Sequence, residues 1–159
     1  KNDHAKQQIF HLINDILTQR YNRKVKLFIF GSVVEDMKER LMSFCDQKQI
    51  FYIGWLDNET IYQYLAASDI AIYPGRHSVL WEETAGLGIP MIVKYWPGTT
   101  HIDVGGNVKF LRTNSSKEIS DLLKDLCDNP NEYCNMKKIA VNRGMRKFSY
   151  AHIAKESIS

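Results

Sequence analysis

The chain has 159 residues, enough for one domain with a buried core. Its 21 basic and 18 acidic residues leave a net charge of +3, too small and too dispersed to mark a nucleic-acid-binding surface. No apolar run approaches the ~20 residues of a spanning helix, and three cysteines without a Cys-x-x-Cys pair argue against a disulfide framework or a zinc site and for buried reduced thiols.

Ile9, Leu12, Ile13, Ile16 and Leu17 recur at helical spacing, so residues 4–20 read as an amphipathic helix. Residues 25–30 form a short apolar run ending at Gly31, the pattern of a buried strand and its turn. Val34, Met37, Leu41 and Phe44 mark a second helix, and residues 50–53 a second strand stopped by Gly54. Asn58 or Thr60 is placed to cap a helix carrying Ile61, Tyr64 and Leu65. Residues 69–73 read as a third strand, closed by Pro74 and Gly75. Ser78 is placed to cap a helix over 79–87 that Gly88 ends. Residues 90–94 read as a fourth strand, 96–107 as a long Gly/Thr-rich loop and 108–111 as a fifth strand. Ser115 or Ser116 opens a helix carrying Ile119, Leu122, Leu123 and Leu126. Pro130 starts another, running to about residue 146, and residues 149–158 suggest a short final helix. Trp55, Trp81 and Trp96 are expected to pack in the interior.

Strands and helices alternate, and the strands are apolar without alternation, as when both faces are covered. The expected fold class is therefore α/β, a Rossmann-like parallel sheet sandwiched by helices in one domain. Ligands of such sheets sit beyond the carboxyl ends of the strands. That rule singles out Gly31 and Ser32, residues 74–83, and residues 96–106 as site walls. Free N–H groups at the helix start near Ser78 suit an anionic diphosphate. Glu83, about one turn in, is placed to accept both hydroxyls of a ribose. Glu82 and Glu83 could equally do no more than favour the helix dipole. The absence of Asp-x-Asp and His-x-x-x-His argues against a catalytic metal.

The run from Ala67 through Asp69 to Pro74, followed by Glu83-Thr-Ala-Gly-Leu-Gly88-Ile-Pro90, resembles retaining glycosyltransferases of family 4. The strand ending in Gly31, the strand ending in Gly54 and the stretch from Ile61 to Ser68 extend the resemblance over most of the chain. It implies the C-terminal, nucleotide-sugar-binding half of a GT-B fold, with an N-terminal acceptor domain outside this chain. The chain opens at Lys1 and not at a methionine, which also reads as a piece of a longer protein.

Carried over by position, Glu83 matches the glutamate that holds the nucleotide ribose. Ser78, Val79 and Leu80 fall where backbone amides meet phosphate and sugar. Tyr52 and Ile53 match positions whose backbone contacts the base. Gly98 and Thr99 lie in a loop that resembles the family's Gly-Gly loop and would bring amides to phosphate. Lys1 stands where the family has a diphosphate-binding lysine. The family's other glutamate is missing: the position eight residues before Glu83 is Gly75. His77, then Arg76, is the candidate to face the donor sugar in its place. His101 and Asp103 are expected to serve structure more than substrate.

The resemblance implies transfer of a hexose or N-acetylhexosamine from a UDP-sugar, with no cofactor and no metal. The implied acceptor is a lipid-linked glycan of surface polysaccharide assembly (O-antigen, lipopolysaccharide or capsule), met at the cytoplasmic face of the plasma membrane. A UDP-sugar epimerase of the same fold and a non-catalytic α/β binding module are the alternatives.

Overall fold

The structure, a computed structural model, describes residues 3–149, 154, 157 and 158. Its first helix, α1 (Asp3–Leu17), buries Leu12, Ile13 and Ile16 on one face. It ends earlier than the apolar spacing suggests, because Gln19 takes a left-handed backbone (φ 56°). Then follow β1 (Leu27–Phe30), α2 (Glu35–Phe44), β2 (Ile50–Gly54), α3 (Asn58–Ala66) and β3 (Ala71–Tyr73). Next come α4 (Val79–Gly86), β4 (Met91–Lys94), a 3₁₀ turn (Thr100–Ile102) and β5 (Val108–Leu111). The order closes with α5 (Glu118–Asp128), α6 (Pro130–Ile139), a π-helical segment (Ala140–Gly144) and α7 (Met145–Phe148). The expected helix from Pro130 to about residue 146 is thus three helical segments in succession. The helix expected over 149–158 lies largely outside the described residues, as does Lys1.

All strand pairings are parallel. One sheet was expected, and the strands form two ladders, β1-β2 and β3-β4-β5. A common core joins them. Ile29 and Ile50 of the first ladder pack with Ile72, Ile92 and Leu111 of the second, beneath Leu12, Ile13 and Ile16 of α1 and Ile119 and Leu123 of α5. The opposite face of the three-stranded ladder has its own core. There Ala71, Met91, Val93 and Val108 meet Leu65, Trp81 and Ala85 from α3 and α4. Neighbouring residues of β4 therefore enter different cores, which explains its unbroken apolar run.

Between α1 and α5 lies a buried polar knot. Ser120 donates to Asp15, and the Tyr21 hydroxyl bonds Ser120. His11 and Arg20 bring their ring and guanidinium nitrogens to 3.2 and 3.3 Å from the Asp15 carboxylate. Burial pushes the Tyr21 hydroxyl up to about 12.

Several local expectations are corrected. The cap of α3 is Asp57, whose carboxylate accepts the Thr60 N–H at 2.8 Å, and not Asn58 or Thr60. At α5 the N-cap position falls on Lys117, whose N–H donates to the Ser115 hydroxyl. Trp81 is buried as expected, but Trp55 and Trp96 are 77% and 38% exposed, because both follow strand ends that face outward. Cys127 is buried, whereas Cys134 is exposed on α6.

The turn before β2 carries a pH-sensitive contribution. Asp46 Oδ1 accepts the N–H groups of Ile50, Gln49 and Lys48 at 2.8–3.0 Å. These bonds, Ile50 first, hold its carboxyl down at about 2. A depressed carboxyl stabilises the fold above its unfolded value, and the effect fades as pH falls through the folded one. Thermal melts of Asp46→Ala should therefore show a lower Tm than wild type at about pH 6 and convergence with it toward about pH 2. A constant Tm difference across that window would refute the assignment.

Candidate functional site at the carboxyl ends of the strands

The β3 strand ends at Tyr73, and the loop to α4 carries Arg76 and His77. Ser78 occupies the N-cap position with an extended backbone, yet its side chain makes no capping bond. Ser78 thus leaves the opening N–H groups of α4 uncapped by its side chain, at the positive end of the helix dipole. The Tyr73 hydroxyl lies 2.7 Å from Thr84 Oγ1, which in turn donates to the Leu80 carbonyl. Burial first, and the charge of Glu83 with it, push the Tyr73 hydroxyl up to about 12. Glu83 is half-buried just past the first turn.

Glu82, not Glu83, is the hub of the charged side chains here. The Nε2–H groups of His77 and His101 donate to its Oε1 at 2.7 and 2.9 Å. Burial alone would raise the Glu82 carboxyl, but the bonds from His101 and His77 outweigh it and hold the carboxyl below its ordinary value. His77 stands edge-on to the buried Trp81, with ring centroids 4.9 Å apart. His101 comes from the 3₁₀ turn after β4, whose Ile102 is fully buried. His77, Glu82 and His101 are a set that could hold a metal ion, their ligand atoms all lying within 4.8 Å of one another.

Beside this cluster opens a cleft of about 450 Å³ lined by Arg76, His77, Trp96 and Thr99. The Trp96 indole donates to the Gly75 carbonyl at 3.2 Å, bridging the loops after β3 and β4. Thr99 does not offer the amide expected of it. Its N–H and hydroxyl both bond Trp96 O, at 3.1 and 2.8 Å, because the chain turns tightly there. Gly98 keeps a left-handed backbone (φ 85°) in open space. Asp103 accepts the N–H groups of Gly105 and Gly106, a structural role as expected.

The other predicted residues form a second group after β1 and β2. Gly31 has φ 106°, and no atom lies within 4 Å of where a Cβ would stand, so ligand backbone or base can approach closely. The Tyr52 hydroxyl donates to the Gly31 carbonyl at 2.9 Å, and the Gly31 N–H reaches Gly54 O. In register, Ile29 faces Tyr52 and Phe30 faces Gly54, so Ile53 is the extra residue of a bulge, with its backbone outside the ladder. Ser32 is exposed beside them. Val79 is 70% exposed on the first turn of α4, and Leu80 is half-buried behind it. Glu82, expected only to favour the helix dipole, and Trp96, expected in the core, both belong to this region instead. Their place in the site follows from the pairing of β3 with β4, which brings the loops after them together and leaves no mark in the sequence.

No protein-family model matches the sequence, and no curated protein matches it. Solved structures do match the fold. HepE of Anabaena in complex with UDP superposes with a TM-score of 0.69 at 16% identity, over 93% of this chain and 43% of that one. The fold is that of the Rossmann-like C-terminal half of a GT-B protein. A UDP-N-acetylglucosamine 2-epimerase matches at a TM-score of 0.68 and 20% identity, over 89% of this chain and 39% of its own. Sucrose-phosphate synthase of Thermosynechococcus elongatus matches at 0.66 and 12%, over 92% of this chain and 40% of its own. The chain spans less than half the length of each. These neighbours thus include a UDP complex, a sugar epimerase and a sucrose-phosphate synthase.

Proposed function

We propose that this chain binds the nucleotide-sugar donor of a retaining glycosyltransferase, with UDP as the carrier. The observation that carries this reading is the α4 N-terminus, which Ser78 leaves without a side-chain cap directly after the cleft-lining residues Arg76 and His77. An anionic diphosphate fits there, held by the amides near Ser78, Val79 and Leu80 and by the Arg76 guanidinium. Glu83 takes the ribose hydroxyls, and Gly31, Tyr52 and Ile53 border the base. His77 lies at the sugar end, held in place by Glu82. The neighbouring HepE structures, which hold UDP or UDP-glucose, support the choice of carrier. In the longer protein, a second domain would present a lipid-linked glycan at the inner face of the plasma membrane, for surface polysaccharide assembly. That extension rests on the sequence resemblance.

A UDP titration of the isotope-labelled chain tests the donor site. Chemical-shift changes are expected at Gly31 and across residues 78–83, and none at those places would sink the reading. Glu83→Ala is expected to weaken UDP binding roughly 10-fold or more, the worth of charge-assisted bonds to two hydroxyls. Wild type should lose a similar factor with 2′-deoxy-UDP, and the variant should be nearly indifferent to that change. The epimerase neighbour supports a second reading. It would be favoured if the complete protein inverted a stereocentre of a UDP-sugar without any acceptor.

A further inference from the structure

We propose that His77, Glu82 and His101 bind one divalent transition-metal ion of the zinc class, with a remaining coordination position open to the cleft between Arg76 and Trp96. Two imidazoles and one carboxylate are the ligand set of zinc sites that keep a position for an exchangeable oxygen. Here the three come from separate pieces of chain: the loop before α4, its first turn, and the 3₁₀ turn after β4. Their convergence is therefore a product of the fold and not of local spacing. The two rings are 5.8 Å apart and inclined at 72°, so they do not stack but aim both Nε2 atoms at one oxygen. Among the described residues no other three His, Cys, Asp or Glu side chains converge in this way.

A second observation concerns the carboxylate. Glu82 Oε1 meets both rings, while Oε2 is buried without any hydrogen-bond partner. A carboxylate held only by hydrogen bonds gains most when both oxygens are served, and an unserved buried oxygen is a net cost to the fold. A cation among the three groups satisfies the carboxylate as a whole. The imidazoles then turn lone pairs, and not N–H groups, toward the centre. Ligand atoms bound at about 2.0–2.1 Å to a tetrahedral zinc stand roughly 3.3 Å apart. For that, the 2.7 and 2.9 Å separations from Glu82 open by about half an ångström, and the two ring nitrogens, within 4.8 Å of each other, settle at the same spacing. Trp81 is fully buried against His77, and Lys147 donates to the His101 carbonyl at 3.4 Å.

The proposal does not depend on nucleotide binding, and its test leaves nucleotide out. The EDTA-stripped chain is titrated with zinc against a chromophoric chelator, and with cobalt(II) followed by absorption. One zinc per chain and the intense visible bands of tetrahedral cobalt are expected. His101→Ala, an exposed loop change checked for folding by circular dichroism, should cost more affinity than the roughly 10–100-fold lost with an outer-shell partner. No uptake by wild type at micromolar zinc overturns the proposal. So does unchanged uptake by the His77→Ala/His101→Ala double variant, which would place the ion elsewhere. UDP titrated separately in EDTA shows which reading has failed. Loss of zinc binding alone removes the metal site, and loss of UDP binding alone removes the donor site.

Discussion

Trp81→Ala is expected to lower the unfolding free energy by roughly 3–5 kcal/mol, the cost of emptying a fully packed aromatic site. Trp81 has no exposed surface and is the largest side chain of the core between α3, α4 and the three-stranded ladder. Its surroundings are set by β3, β4 and the 3₁₀ turn, so they cannot close on the void without moving strands. Tyr73, its aromatic neighbour at 6.2 Å, is itself tied to Thr84. The indole N–H is buried with no partner. For that reason Trp81→Phe should cost much less than Trp81→Ala, since it discards a polar group that gains nothing in the fold. Urea unfolding followed by far-UV circular dichroism measures both. A loss below about 1 kcal/mol for Trp81→Ala would mean that this core is far looser than its burial shows. The same substitution removes the edge-on support of His77, so it should disturb the cluster above it even where the chain still folds.

The strands were readable because burial on both faces leaves a plain mark. Residues 91–93 carry no polar side chain, since one faces the α1/α5 core and two face the α3/α4 core. Helix ends were less readable. The stop of α1 depends on Gln19 adopting a left-handed backbone, which a glutamine does not advertise. The cap of α3 fell on Asp57, one residue ahead of the reading, although Asp is as good a cap as Asn. The division into two ladders is a matter of pairing between distant segments, and no local pattern encodes it. Trp55 and Trp96 show a related limit: composition favours burial for tryptophan, but position at the carboxyl end of a parallel strand favours exposure.

The same limit hid the centre of the site. Metal motifs such as Asp-x-Asp place their ligands at short fixed spacings, and the sequence has none of that kind. His77 and Glu82 are five residues apart, and His101 follows Glu82 by nineteen. Their meeting needs β3 and β4 side by side, which only the ladder register supplies. The loop positions themselves were legible, because ligand-facing segments of parallel sheets follow strand ends. What sequence could not reveal was which of two adjacent glutamates receives the histidines.

Gly86→Ala is the second large effect, and its sign runs against propensity. In a free helix this exchange gains up to about 1 kcal/mol. Here a Cβ on Gly86 would stand 2.7 Å from the Phe148 carbonyl oxygen and 3.2 Å from its carbon. Those are backbone atoms of α7, so no side-chain rotation relieves the clash and α4 and α7 must part. Overpacking of this kind costs roughly 1–3 kcal/mol, enough to overturn the gain. Gly144, in the π-helical segment before α7, guards the same interface from the other side. A Cβ there would meet the Ala85 carbonyl oxygen at 3.1 Å. Gly144→Ala should therefore destabilise less than Gly86→Ala. The double variant should lose less than the sum of the two, because the first substitution has already opened the contact that the second needs. Calorimetric melting of the three variants checks this. An unchanged or raised Tm for Gly86→Ala would show that α7 does not press on α4. An additive double variant would show that the two glycines serve separate contacts.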